Sequence, residues 1–174
     1  MSWPMLILIG MDPIIIFCAK YLFIAVVLLY LVALVQASRK HRKALVVSLI
    51  IAGTIAVILD KLGGKLYYDP RPFVSQHVTP LIQHSADNGF PSEHTVFSMS
   101  VAFLLTFYRR RLGGLAVLIA LAVGVARVAA HVHSPIDIIG GIIIAAIAAS
   151  AGYIIAEKNL GLPKRRAVRS PDSK

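Results

Sequence analysis

Five long apolar runs constrain this chain more than any other feature. They fall at about 13–37, 44–62, 94–108, 112–130 and 136–156. All but the third are close to or above the roughly 20 residues that cross a hydrocarbon core about 30 Å thick. The chain has 174 residues, 57% of them hydrophobic, so spans and their connections consume nearly all of it and no separate soluble domain fits. The expected fold is all-α: a polytopic transmembrane helical bundle of five spans, with short interfacial helices in the outer loop. It forms one membrane-embedded domain over residues 1–174, with a core at about 60–156 and a basic tail at 157–174.

A formal charge of +10 invites a nucleic-acid partner, but the basic residues are distributed as topology signals. Arg39, Lys40, Arg42 and Lys43 lie in the first connection, Arg109 to Arg111 in the third, and Lys158, Lys164, Arg165, Arg166, Arg169 and Lys174 in the tail. These blocks fall on one side of a five-span chain, and the excess of Lys and Arg makes that side cytoplasmic. The carboxyl terminus is then inside and the amino terminus outside. Six of the eight acidic residues, Asp12, Asp60, Asp69, Asp87, Glu93 and Asp137, fall on the opposite side. Membrane lipids, including anionic ones, are the expected surroundings, and nucleic acid is not an expected partner.

Residues 1–12 lack a basic start and a small-residue cleavage site, so they read as a short interfacial segment rather than a removable signal. Cys18 is the single cysteine, which excludes an internal disulfide and leaves packing as its role. Lys20 sits near the outer end of the first span, from which its ammonium can snorkel. Gly141, Ala145 and Ala149 give the last span a small face for close helix packing.

With that topology, the remaining ionisable residues gather on the outer side. A long outer loop, about 63–93, opens with "GGKLYYDPRPF" and closes with "GFPSEHT"; a short outer turn carries "RVAAHVHSPID". A loop this long in so small a protein is more often functional than idle. In "PSEHT", Ser92 is placed to cap the next helix, whose free N–H groups would attract phosphate; a plain cap followed by an interfacial His94 accounts for the same residues. In "HSPID", Ser134, Pro135 and Asp137 form a capping box, yet Arg127 and His133 need another reason to stand at the end of an apolar span. Asp137 can accept a hydrogen bond from His133, fixing its tautomer and raising its nucleophilicity. A zinc site built on "HVH" and an aspartate is the competing chemistry; the nearby Arg127 and Arg71 and the want of a second carboxylate or thiolate argue against it. His131 is then an interfacial residue. Arg71, between two prolines, is presented on a stiff extended backbone suited to bidentate phosphate binding.

Taken together, "RPF", "FPSEHT" and Arg127–His133–Asp137 resemble the motifs of the type 2 phosphatidic acid phosphatase superfamily, a helical-bundle group that shares its site with vanadium haloperoxidases. The likeness covers roughly residues 60–156. Lys65 stands one residue closer to Arg71 than the family pattern, Glu93 replaces the motif glycine, and Ala126 replaces a serine. The acidic residue at the glycine position is similar to the undecaprenyl-pyrophosphate phosphatases of bacitracin resistance.

The resemblance implies a lipid phosphatase of a bacterial plasma membrane, acting on the extracytoplasmic face and removing the terminal phosphate of a polyprenyl pyrophosphate. His133 would be the nucleophile, Asp137 its orienting group and His94 the acid and base. Arg71, Arg127, Ser92 and Lys65 would bind phosphate, with no metal and no cofactor. A phosphatidylglycerophosphate or phosphatidate phosphatase would use nearly the same residues, and a lipid transporter would use them for binding alone. Glu93 fits the start of a helix, as acidic residues do.

Overall fold

A computed structural model describes residues 3–160, with side chains from residue 12 onward. The stretch 161–174, which holds most of the expected basic tail, lies outside the described residues. Among the described residues seven helices follow one another: α1 (Trp3–Tyr21), α2 (Phe23–Gln36), α3 (Arg39–Leu66), α4 (Pro72–Ser75), α5 (Glu93–Tyr108), α6 (Arg110–Ala129) and α7 (Pro135–Leu160). The bundle is all-helical over the described residues, as expected, and three or four of the five expected spans are met by helices long and apolar enough to cross a membrane.

Three described helices, α3, α6 and α7, are long and apolar enough to cross a membrane. The first expected span is broken at Leu22, where Asp12–Tyr21 and Phe23–Gln36 meet at a bend of 43°, and the pair makes a fourth if counted as one span. The helix also starts at Trp3, so the expected interfacial segment at 1–12 is continuous with α1 over its described part. The third expected span, α5, has 16 residues, about 24 Å at 1.5 Å per residue, and is shorter than the hydrocarbon thickness. Its role explains its length. Thr95, Val96, Ser98, Met99, Ser100, Val101, Ala102, Leu104 and Leu105 are buried, and it packs on α2, α3, α6 and α7. A helix surrounded by others need not reach both faces of the bilayer.

Small residues set how closely these helices approach. On α7, Gly141, Ala145, Ala148, Ala149 and Gly152 are buried, and α7 packs along both α3 and α5. The α2–α3 connection is closed by Arg42, which donates to the carbonyls of Leu34, Val35 and Ala37 at 3.0–3.3 Å and so satisfies the open end of α2. Tyr30 adds a buried bond across the same pair, its hydroxyl donating to Leu45 O at 2.8 Å.

Chain direction then sorts the chemistry. The end of α3, the start of α5, the end of α6 and the start of α7 share one end of the bundle, where the buried charges lie. The basic starts of α3 and α6 and Lys158 of α7 belong to the other end.

Candidate active site

Local sequence presents Arg71. Its backbone is extended at φ −56°, ψ 145°, as the residue before a proline prefers, and Pro72 opens the single turn of α4. The side chain is 5% exposed and almost fully engaged. Nε donates to Asp87 Oδ1 at 2.7 Å, Nη1 to Val132 O at 2.8 Å, and Nη2 to Asn88 O at 3.3 Å. The Arg71 hydrogen bond holds the Asp87 carboxyl below the usual carboxylate range, so that bond is charge-assisted at neutral pH.

The loop that supplies Asp87 is braced by Asn88. Its side-chain oxygen accepts from the backbone N–H groups of Asp69 at 2.9 Å and Phe90 at 3.0 Å, and its amide donates to the carbonyls of Gly64 and Tyr67 at 2.8 and 2.9 Å. One side chain thus ties the end of α3 to both ends of the loop.

His133 is the meeting point. Arg71 Nη1 lies 3.3 Å and Arg127 Nη2 3.2 Å from its Nε2, while its Nδ1 lies 3.1 Å from Asp137 Oδ2. A guanidinium can only donate, so Nε2 must accept and the ring proton belongs on Nδ1, where Asp137 receives it. The result is an imidazole whose unprotonated nitrogen faces two cations. Burial pushes the His133 pKa down; the Asp137 hydrogen bond opposes this, and Arg127 and Arg71 add to the fall. The ring is neutral at neutral pH.

The turn before α7 departs from the expected capping box. Asp137 Oδ2 does accept the Ser134 N–H at 2.9 Å, but the Ser134 hydroxyl turns to Asp69 instead of back to the helix. His131 takes a left-handed φ of 60°, reversing the chain so that Val132 and His133 point inward while His131 stays exposed. Two glycines let the loop close over this turn. A Cβ on Gly89 would lie 2.8 Å from Asp137 Oδ2, and one on Gly140 would lie 2.2 Å from the Phe90 ring.

A cavity of about 260 Å³ opens above His133, lined by Arg71, Arg127 and His94, by His84 and Asp87 of the loop, and by Asp60, Lys61 and Glu93. An apolar groove of about 510 Å³ runs from it between α3 and α5, past Ala56, Val57, Val96 and Phe97, and the two share Asp60, Lys61 and Glu93. His94, in the first turn of α5, is half-buried with its ring edge-on to Phe23 at 5.6 Å.

The structure therefore brings His133, Asp137, His94, Arg71 and Arg127 together and leaves two expected contacts apart. Ser92 is fully buried and does not line the cavity; its hydroxyl accepts from Thr95 at 3.1 Å and makes no cap bond to α5. Lys65 is exposed and also outside the lining. On α3 the lining residues are Asp60, Lys61 and Gly64. At 100° per residue they form one face, and Lys65 stands about 90° round the helix from its centre. Of the two lysines, both exposed, Lys61 lines the cavity and Lys65 does not. The sequence gives no cue to this phase, since both lysines precede Arg71 at plausible reach. Asn88 and His84 belong to none of the sequence motifs, although the Asn-Gly step at 88–89 is a turn signal that marks Asn88 as structural.

Cationic groups sunk beside an apolar groove in a bundle of span-length apolar helices define a class of multi-pass helical membrane proteins with a polar cavity at one end. Within that class the chain belongs to the PAP2 superfamily, which residues 43–160 match. It is 33% identical over 149 residues to the bacitracin transport permease protein BcrC of Bacillus licheniformis, covering 85% of this chain and 73% of the relative. It is 31% identical over 137 residues to the undecaprenyl-diphosphatase BcrC of Bacillus subtilis strain 168, covering 79% and 70%. It is 32% identical over 142 residues to the putative undecaprenyl-diphosphatase YbjG of Escherichia coli K12, covering 80% and 71%.

Proposed function

We propose that this protein is an integral-membrane phosphatase that hydrolyses the terminal phosphate of a polyprenyl diphosphate, undecaprenyl diphosphate being the preferred form, on the extracytoplasmic face. The observation that carries this reading is His133 Nε2, an unprotonated nitrogen faced by two guanidiniums that are 3% and 5% exposed. Arg127 Nε is buried without a hydrogen-bond partner among the described residues, and a phosphate oxygen would satisfy it.

Chemistry follows from the geometry. His133 Nε2 attacks the terminal phosphorus; the N–P bond forms as the bridging P–O bond breaks, and the lipid monophosphate leaves with a proton from His94. Water then gives a proton to His94 and attacks the same phosphorus, the N–P bond breaks, and inorganic phosphate departs. Asp137 holds the ring and stabilises the positive charge it acquires. Arg71, Arg127 and Lys61 neutralise the non-bridging oxygens, where charge lies in a phosphoryl transition state. Among the described residues no group of three His, Cys, Asp or Glu side chains could hold a metal ion.

The apolar groove supports a lipid substrate. It meets the polar cavity at Asp60, Lys61 and Glu93, so a prenyl chain can lie between α3 and α5 while its diphosphate reaches His133. The acidic outer side and the basic opposite side support an extracytoplasmic site. The names of two relatives support the diphosphate.

The test is phosphate release by the purified protein from undecaprenyl diphosphate, phosphatidylglycerophosphate and phosphatidate, with and without a chelator. Faster release from the diphosphate, unchanged by chelator, is expected. Equal rates on all three lipids would remove the diphosphate preference, and no release from any would remove the phosphatase reading.

A further inference from the structure

The outer loop carries a histidine that none of the three motifs uses. His84 is held from both sides. Before it, Ile82 is buried and Leu81 N–H donates to Ala130 O at 3.1 Å, fixing the loop to the end of α6. After it, Asp87 takes the Arg71 Nε–H and Asn88 is tied to Gly64 and Tyr67. The short stretch between these anchors carries the His84 ring to 6.1 Å from the His133 ring, at an interplanar angle of 75°, on the lining that includes Arg71 and Arg127. On its other side His84 borders an open hollow with Pro80, Gln83 and Ser85, so it stands between the cavity and the outside.

We propose that His84 is a further catalytic residue, donating a hydrogen bond to a non-bridging oxygen of the phosphate seated between Arg71 and Arg127. The proposal rests on the phosphohistidine reading above. Position decides the role. The leaving oxygen must lie opposite His133 Nε2 for in-line displacement, and an imidazole beside His133 cannot reach it; the equatorial oxygens lie within its range. Charge agrees with this. Burial, then Arg71, Arg127 and His133, lower the His84 pKa against a smaller opposing pull from Asp87, so the ring is neutral and keeps one N–H donor. It adds a donor without adding a third cation beside the anion.

Two measurements on the full chain in detergent test this: kcat/KM for undecaprenyl diphosphate, and equilibrium binding of inorganic phosphate. His84→Ala is expected to lower kcat/KM by about 10- to 100-fold, since removing one preorganised donor to a developing anion costs about that much or more. It should also weaken phosphate binding about tenfold, at an unchanged unfolding temperature. His84→Asn keeps an N–H donor and should recover part of both. Wild-type kcat/KM and wild-type phosphate affinity in His84→Ala would overturn the proposal, as would losses in both variants that track a lowered unfolding temperature. If the wild-type chain releases no phosphate, the functional reading fails by itself, and the binding measurement alone still decides whether His84 contacts the anion.

Discussion

Asp137 Oδ2 accepts the Nδ1–H of His133 at 3.1 Å, and the same oxygen takes the Ser134 N–H at 2.9 Å. The carboxylate is therefore clamped before it clamps the imidazole, which is the arrangement that keeps Nε2 unprotonated. Replacing Asp137 by Ala removes the orientation and the counter-charge together. A fall in kcat of about 10²–10⁴-fold is expected, with KM changed far less and helical content retained by circular dichroism.

The pH dependence follows from the same ring. Burial, aided by Arg127 and Arg71, outweighs the Asp137 hydrogen bond and lowers the His133 pKa from its ordinary value near 6.5. Protonation destroys the nucleophile, so activity is kept as pH falls through about 6.5 and is lost below it. The acid limb of kcat/KM should lie below that value. Arg71→Gln removes a repelling cation and should move the limb upward in pH, on a lower plateau.

Gly140 and Gly89 test how the loop closes over the site. A methyl on Gly140 would meet the Phe90 ring at 2.2 Å, and on Gly89 it would meet Asp137 at 2.8 Å, whereas Gly53 and Gly114 have nothing within 4 Å. Gly140→Ala is expected to destabilise by about 1–3 kcal/mol, the usual cost of overpacking, and Gly53→Ala to be neutral or slightly stabilising. Thermal unfolding of the variants in one detergent compares them directly. Gly89→Ala should lose turnover beyond its loss of stability, because it presses on Asp137.

Lys61 and Lys65 are separated by one helical turn and by their relation to the cavity. Lys61→Ala is expected to lower kcat/KM about tenfold by removing a cation from the lining, and Lys65→Ala to stay within about twofold. Steady-state rates on the same lipid diphosphate decide between them.

Much of the candidate site is legible in the sequence, for a physical reason: Arg127, His133 and Asp137 lie within one turn and its flanks, so spacing alone nearly determines their contact. Arg71 was legible because the prolines on either side stiffen its presentation. What was not legible depends on packing between distant segments. Helix phase about α3 decides for Lys61 over Lys65, and the Thr95 hydroxyl draws Ser92 away from its cap. Hydropathy marked α5 as a span, yet neighbours on four sides explain how so short a helix is kept. The break at Leu22 falls within the first apolar run, two residues after Lys20, and no proline or glycine stands beside it to mark it. His84 looked like any loop histidine until Arg71, through Asp87, drew its segment over the cavity.

The central claim is that residue 133 carries the phosphoryl group. Rapid quenching of the enzyme with undecaprenyl diphosphate labelled in its terminal phosphate, followed by peptide mapping, measures this directly. The account predicts an acid-labile, base-stable label on the peptide containing His133, absent from His133→Ala together with turnover. Label on another residue, or full turnover by His133→Ala, would contradict it.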